Sequence, residues 1–245
     1  MRWLEAELPG ARAAFSTRLG GVSQAPFDHL NLGVLTGDER GAVVENRGRL
    51  AAALGFAPER VAIGRQVHGA ELQTHVAGQS PSPFAEPGTA VPEVDGHVIP
   101  AAPADGGPAA ALVFVADCLP VALAGPGGVA MLHCGWRGLA AGIVARGAEA
   151  VGATDAAVGP GIGACCYEVG GEVLEAFAAL GPGIASGGML DLAEVARRLL
   201  ERAGVERIEV AGLCTCCERE LFFSHRRDRG RTGRQAGVVL PEGSD

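Results

Sequence analysis

The sequence predicts a layered α/β or α+β fold. Strand candidates outnumber helix candidates about two to one. Ala110 to Ala116 and Val129 to Leu132 are nearly continuous apolar runs, the pattern of strands covered on both faces. The firmest helix candidates each carry one apolar stripe, which places helices outside the sheets.

The elements follow in order. Arg12 to Ser16 reads as a strand. Asp38 is placed to cap a helix through Val43, Val44, Arg47, Leu50 and Leu54, with Gly55 as its C-terminal stop. Val61 to Val67 and Leu72 to Ala77 are strand candidates, and the Pro/Ser-rich stretch from Gln79 to Pro92 breaks both periodicities and reads as a loop. Strands follow at Ala110 to Ala116, Val121 to Ala124 and Val129 to His133. A helix is expected over Gly138 to Val151, weakened by Gly142 and Gly147. Ala156 to Val158 is a strand and Gly171 to Leu180 a helix. Asp191 with Glu194 forms a capping-box-like start for Leu192 to Ala203, where Leu192, Val195, Leu199 and Leu200 line one stripe and Gly204 ends it. Ile208 to Gly212 and Gly237 to Leu240 complete the strands.

Composition narrows the function. The 245 residues hold 20 basic and 28 acidic side chains, a net charge of -8, with no dense basic run. That leaves no electrostatic footprint for duplex nucleic acid or an anionic membrane. Every basic residue is Arg, so lysine Schiff-base chemistry is excluded. The apolar stretch from Ala109 to Ala116 ends at Asp117, too short to span a bilayer. Acids at Glu5 and Glu7 interrupt any signal-like apolar core, so the expected location is the cytoplasm. Seven cysteines, an odd count, point to metal binding, catalysis or burial rather than a disulfide framework.

Three loop residues at predicted strand ends are candidate metal ligands: His68, Cys118 and His133. Their separations match no short zinc-finger pattern, but strand-end residues beside glycine are where a rigid scaffold presents side chains. Three such ligands leave tetrahedral zinc with one open position, the catalytic arrangement; the alternative is a buried thiol with two hydrogen-bonded histidines. Gly159-Pro160-Gly161-Ile162-Gly163-Ala164 formally satisfies a dinucleotide fingerprint, but Pro160 and the following Cys165-Cys166-Tyr167 deny it the strand-turn-helix context. It reads instead as a turn, one that could line a pocket. Cys214-Thr215-Cys216-Cys217 lacks a second C-x-x-C pair, and Cys165-Cys166, taken as extended, would point opposite ways, so these read as buried thiols.

Several motifs occur together and in order: Phe15 to Ser23, Asn31-Leu32-Gly33, Glu45-Asn46-Arg47, Gln66-Val67-His68, Ala116-Asp117-Cys118-Leu119-Pro120 and His133-Cys134-Gly135-Trp136-Arg137-Gly138. They continue with Gly159 to Gly163, Cys166 to Gly170, Cys214-Thr215, Phe223 to Asp228 and Thr232-Gly233-Arg234. Over essentially its whole length, 1–245, the chain resembles the YfiH-type laccase-domain family, labelled multicopper polyphenol oxidases and described as purine nucleoside phosphorylases. The resemblance implies a single domain of packed mixed sheets flanked by helices, with one zinc on His68, Cys118 and His133. It also implies phosphorolysis of adenosine, inosine, guanosine and methylthioadenosine, together with adenosine deamination. The chain departs from the family pattern at Cys134, where Ala is usual, at His97, and at His225, where Tyr is frequent.

Copper chemistry of the laccase type needs roughly ten imidazoles plus a thiolate, and this chain has six His. The Irving-Williams order still predicts that Cu(II) binds the three-ligand site in vitro. With Lys absent, phosphate must be held by guanidinium groups, for which Arg18, Arg137 and Arg226 are candidates. Asp117, Asp95 and Glu168 are the available acids, Asp117 or Asp95 being the expected acid/base. Three alternatives stand beside this reading: a hydrolase using Cys118 as nucleophile on amide bonds, a role connected with cell-wall quality control in the family; a copper-dependent polyphenol oxidase built on a simpler site than a laccase's; and an interaction protein whose zinc is closed by a fourth thiol from Cys134 or Cys214.

Overall fold

The computed structural model describes residues 1–76, 82–102 and 107–242. In chain order the strands are β1 (Trp3–Leu8), β2 (Ala11–Ser16), β3 (Val61–Ala62), β4 (Leu72–Thr74), β5 (Gly96–Pro100), β6 (Ala110–Val115), β7 (Leu119–Gly125), β8 (Gly128–Cys134), β9 (Asp155–Val158), β10 (Ala185–Ser186), β11 (Met189–Leu190), β12 (Arg207–Val210) and β13 (Gln235–Pro241). The helices are α1 (Arg40–Leu54), α2 (Trp136–Ala140), α3 (Ile143–Val151), α4 (Gly171–Ala176) and α5 (Leu192–Arg202).

Two mixed sheets carry the fold, with strand orders β1-β2-β13-β6-β3 and β12-β9-β7-β8-β5-β4. In each, an antiparallel body is extended by parallel edge pairing: β3 on β6, β12 on β9 and β4 on β5. Side-chain alternation along β8 shows how the layers form. Val129 and Met131 join a core with Phe15, Val113 and Val239 of the other sheet, whereas Ala130, Leu132 and Cys134 join a core with Ile143, Val144, Val195 and Leu200 from α3 and α5. The outer face of the five-stranded sheet packs on α1 through Leu50, Leu54, Leu112 and Val238. The result is four layers, helix, sheet, sheet, helices, as the two-faced apolar strands require. Gly237 permits the sheets to meet: a Cβ there would stand 2.3 Å from Pro120 Cβ. No helix among the described residues is long and apolar enough to cross a membrane.

The expected strands are present with shifted ends, and β1, β5, β10 and β11 are additional to them. Trp3 to Leu8 carries two acids, and Gly96 to Pro100 contains His, Gly and Pro, so neither offers an apolar run. Residues 61–67 form a strand only over Val61 and Ala62; beyond Gly64 the chain leaves the sheet and makes one bridge, Arg65 with Glu93. Of the expected 72–77 strand, residue 77 lies outside the described residues, as do 79–81 of the expected loop, whose remainder is irregular. The Gly138 to Val151 helix is two helices, because Gly142 adopts φ +88° between them.

Asp38 does not cap α1. Its carboxylate accepts bonds from Ser23 Oγ (2.6 Å) and Asn31 Nδ2 (2.9 Å), which tie two loops together, and Glu39 is the residue flanking the helix. Gly55 does end α1, in the left-handed conformation. Asp191 caps α5 by accepting from Glu194 N at 3.0 Å. The reciprocal half of the box is missing, since Glu194 turns its carboxylate to Arg197 and Arg198 at 2.7 Å.

Candidate metal and active site

The site lies at one end of the sandwich core. Cys118 immediately precedes β7, His133 is on β8 one residue before its end, and Asp95 immediately precedes β5, all held in register by the β7/β8 and β5/β8 pairings. His133 continues the intersheet face of Val129 and Met131, while the next residue, Cys134, packs among the helices. Adjacent strand residues point opposite ways, so Cys134 is no fourth ligand.

His68 comes from the loop between β3 and β4, and two devices fix that loop. Gln66 mimics a strand neighbour of Phe114 on the other sheet, donating Nε2 to its carbonyl at 2.7 Å and accepting its N–H on Oε1 at 2.8 Å. Asp95, fully buried, accepts the N–H groups of Val67 (3.1 Å), His68 (2.9 Å) and Gly69 (2.7 Å). His68 sits at φ +62° and Asp117 at φ +91°, unusual values for side-chain-bearing residues that aim both at the same place.

The donor atoms of His68, Cys118 and His133 all lie within 4.8 Å of one another. His133 bonds through Nδ1 to Asp95 Oδ1 at 2.8 Å, which leaves Nε2 toward the cluster. A carboxylate-oriented imidazole beside a thiolate is the donor set and outer support that zinc sites use. Burial works to raise the Cys118 thiol, but the His133 charge and hydrogen bonds from His133 and His68 outweigh it and bring it down to about 6. For His133 burial works downward, and Cys118 and Asp95 outweigh it, raising the imidazole to about 9. Gly135 makes room, since a Cβ there would lie 3.0 Å from Cys118 Sγ.

The three donors form one wall of a cleft of about 800 Å³. Among its described lining residues Asp117 is the only carboxylate, anchored by Thr215 Oγ1 and by the Arg226 N–H, both at 2.7 Å. The Arg226 guanidinium reaches the cleft over the Tyr167 ring at 5.4 Å and spends one N–H on the Glu168 carbonyl at 3.0 Å. The Arg137 guanidinium lies over Trp136 at 4.4 Å and makes no side-chain hydrogen bond among the described residues. Arg18 is elsewhere: it stacks on Phe223, bonds to Asp28 and the Arg219 carbonyl, and lines a separate concavity. Asp95 lies behind the donors, its oxygens filled by four N–H groups.

Sequence reasoning missed Arg234 as a lining residue, although Thr232-Gly233-Arg234 was among the motifs. It packs over Gly33 with its guanidinium donating to the Thr232 and Gly233 carbonyls, and burial lowers its pKa. His225 also lines the cleft. The loop carrying it is pinned as the His68 loop is: Gln235 accepts the Phe223 N–H at 2.9 Å and donates to its carbonyl at 3.1 Å. Of the six His, His75 and His97 are bonded to each other at 3.1 Å in the interior and His29 lines the Arg18 concavity, so only His68 and His133 share the Cys118 cluster.

The sequence pattern of the family described as multi-copper polyphenol oxidoreductase laccase matches residues 12–242. The chain is 40% identical to a Geobacillus stearothermophilus protein named purine nucleoside phosphorylase YlmD, over 97% of this chain and 93% of that one. It is 37% identical to the Escherichia coli protein named purine nucleoside phosphorylase YfiH, over 94% and 93% of the two chains. The crystal structure of the Geobacillus YlmD superposes with a TM-score of 0.85, at 38% identity, covering 98% of this chain and 96% of that chain. With the family pattern running almost end to end and relatives aligned along nearly the full chain, this protein belongs to the multi-copper polyphenol oxidoreductase laccase family, the YfiH-type laccase-domain proteins.

Proposed function

We propose that the protein is a zinc-supported purine nucleoside phosphorylase, acting on adenosine, inosine, guanosine or methylthioadenosine, with adenosine deamination as a second activity. The observation that carries the reading is the convergence of His68, Cys118 and His133 on a cleft whose other charged lining groups, among the described residues, include several guanidinium groups and a single carboxylate. The names of the relatives support the same reaction class.

Zinc on His68, Cys118 and His133 would supply a Lewis acid with an open position. The remaining work falls to side chains. Arg137, whose guanidinium donors are unclaimed among the described residues, and Arg226 would hold phosphate bidentately on the sugar side. Phosphate oxygen attacks the ribose anomeric carbon as the N-glycosidic bond breaks, and the departing purine takes a proton. Asp117 is the acid/base candidate because it alone among the described carboxylates faces the cleft, and its anchoring by Thr215 and Arg226 fixes its position. Asp95 acts through His133 and the His68 loop as a positioning residue. Arg18 is outside this scheme.

A second reading is favoured by one observation: His133 bridges Cys118 and Asp95, as the base of a cysteine hydrolase would. The test is purine release from adenosine and inosine by zinc-loaded protein, with and without phosphate, in wild type, Cys118→Ala and His133→Ala. Phosphate-dependent base and ribose 1-phosphate, absent in both variants, support phosphorolysis; inosine from adenosine without phosphate supports deamination. No base release at full metal loading rejects the nucleoside reading. Amide hydrolysis that survives chelation and dies on alkylation of Cys118 puts the hydrolase in its place.

A further inference from the structure

Outside this site, four cysteines make a second constellation. The Sγ atoms of Cys165, Cys166, Cys214 and Cys217 all lie within 4.8 Å of one another, and Cys217 is 3.4 Å from Cys165 and 3.5 Å from Cys166. Four thiolates at about 2.3 Å from a tetrahedral zinc stand about 3.8 Å apart, so the group is nearly spaced for an ion at its centre. Cystine formation would single out one pair at about 2 Å, not hold four sulfurs at mutual distances of this order. Burial does not account for the cluster either. Cys165 and Cys217 are exposed and the other two half-buried, so the packing gain that gathers thiols in a core is small here.

The local backbone explains why the sequence did not disclose the group. Residues 164–166 are a turn, with Cys166 N and Tyr167 N bonding to the Gly163 carbonyl at 3.0 and 3.1 Å, so the neighbouring thiols are not thrown to opposite faces as in a strand. The 214–217 segment is a second turn, closed by Glu218 N on the Cys214 carbonyl at 2.9 Å. The two turns meet through a bridge of Gly161 with Cys214 and through Thr215 N on the Gly161 carbonyl at 2.9 Å. Gly163 N–H points at Cys214 Sγ at 3.2 Å, the amide-to-sulfur contact that stabilises a metal-bound thiolate. A Cβ on Gly163 would stand 3.2 Å from Cys214 Cβ, so glycine is what lets this amide approach.

We propose that Cys165, Cys166, Cys214 and Cys217 form a second, structural metal site, a tetrathiolate that takes one Zn²⁺ and clips the 163–167 turn to the 214–217 turn. Four protein ligands leave no open position, which separates it in kind from the three-ligand cluster in the cleft. The clip bears on the cleft indirectly. One turn leads into Tyr167, and the other carries Thr215, which bonds Asp117, and supplies the Thr215 and Cys216 carbonyls to Arg227 at 2.9 and 3.4 Å. The proposal does not depend on which reaction the cleft performs.

Metal stoichiometry tests it. Protein purified under reducing conditions should hold two zinc ions per chain, and Cys118→Ala and the Cys165→Ser/Cys217→Ser double variant should hold one each. Titration of metal-free Cys118→Ala with Co²⁺ should give thiolate-to-cobalt charge transfer and tetrahedral ligand-field bands saturating at one equivalent. Zinc should slow iodoacetamide labelling of Cys165 and Cys217 by about tenfold or more. The proposal fails if Cys118→Ala, folded by circular dichroism, binds neither metal. It also fails if wild type binds one equivalent that Cys118→Ala abolishes, if mass spectrometry finds the cysteines paired as disulfides under those conditions, or if the bound metal is iron.

Discussion

Asp95→Asn isolates the support of the His68, Cys118 and His133 cluster from the cluster's own donor groups. Asp95 Oδ1 accepts from His68 N and His133 Nδ1, and Oδ2 from Val67 N and Gly69 N. An amide keeps one oxygen, so whichever way it turns, two of the four N–H groups face an NH₂ group in a fully buried position. Hydrogen bonds to a charged group contribute about 1.5 kcal/mol or more each, so losing two costs about 3 kcal/mol. For a chain of this size that lowers Tm by about 6 to 12 °C. The same change frees the His68 loop and removes the acceptor that orients His133, which should weaken zinc binding by about 10 to 100-fold. Differential scanning calorimetry and chelator competition read the two effects. A Tm within 2 °C of wild type, or zinc affinity within about threefold, refutes this account of Asp95.

Three further outcomes follow from the same packing. Gly135→Ala places a Cβ 3.0 Å from Cys118 Sγ and 3.2 Å from His68 Cδ2; overpacking of about 1 to 3 kcal/mol should appear as weaker zinc binding in isothermal titration, with urea stability of the metal-free protein less affected. Gly237→Ala strikes Pro120 between the sheets and should cost about 3 kcal/mol or more in urea unfolding while leaving metal affinity unchanged. The buried His75-His97 pair gives a pH signature: burial lowers His75 to about 4 and His97 to about 3. The unfolded chain therefore takes up protons first, so stability present above about pH 6.5 should fall on acidification toward pH 4, by about 1.4 kcal/mol per pH unit for each group. Replacing both by Leu should flatten that limb of the stability curve; an unchanged slope would assign it to other groups.

The sequence by itself determined the layers and the inventory of groups available for chemistry. Apolar runs such as those around Val113 and Val129 have the pattern of strands covered on both sides, and the Asp191 cap and Gly55 stop mark helix ends through local bonding. The absence of Lys and the six His restrict phosphate binding and copper chemistry by simple inventory. Tertiary structure decided what depends on residues distant in the chain. It made Asp95 the partner of His133 and Arg226 the partner of Asp117, turned Asp38 from a cap into a loop tie, and separated Arg18 from the cleft. It also assembled four cysteines from turns 51 to 52 residues apart. Those outcomes follow from where sheet register and loop closure bring side chains, and neither is encoded in local periodicity or spacing.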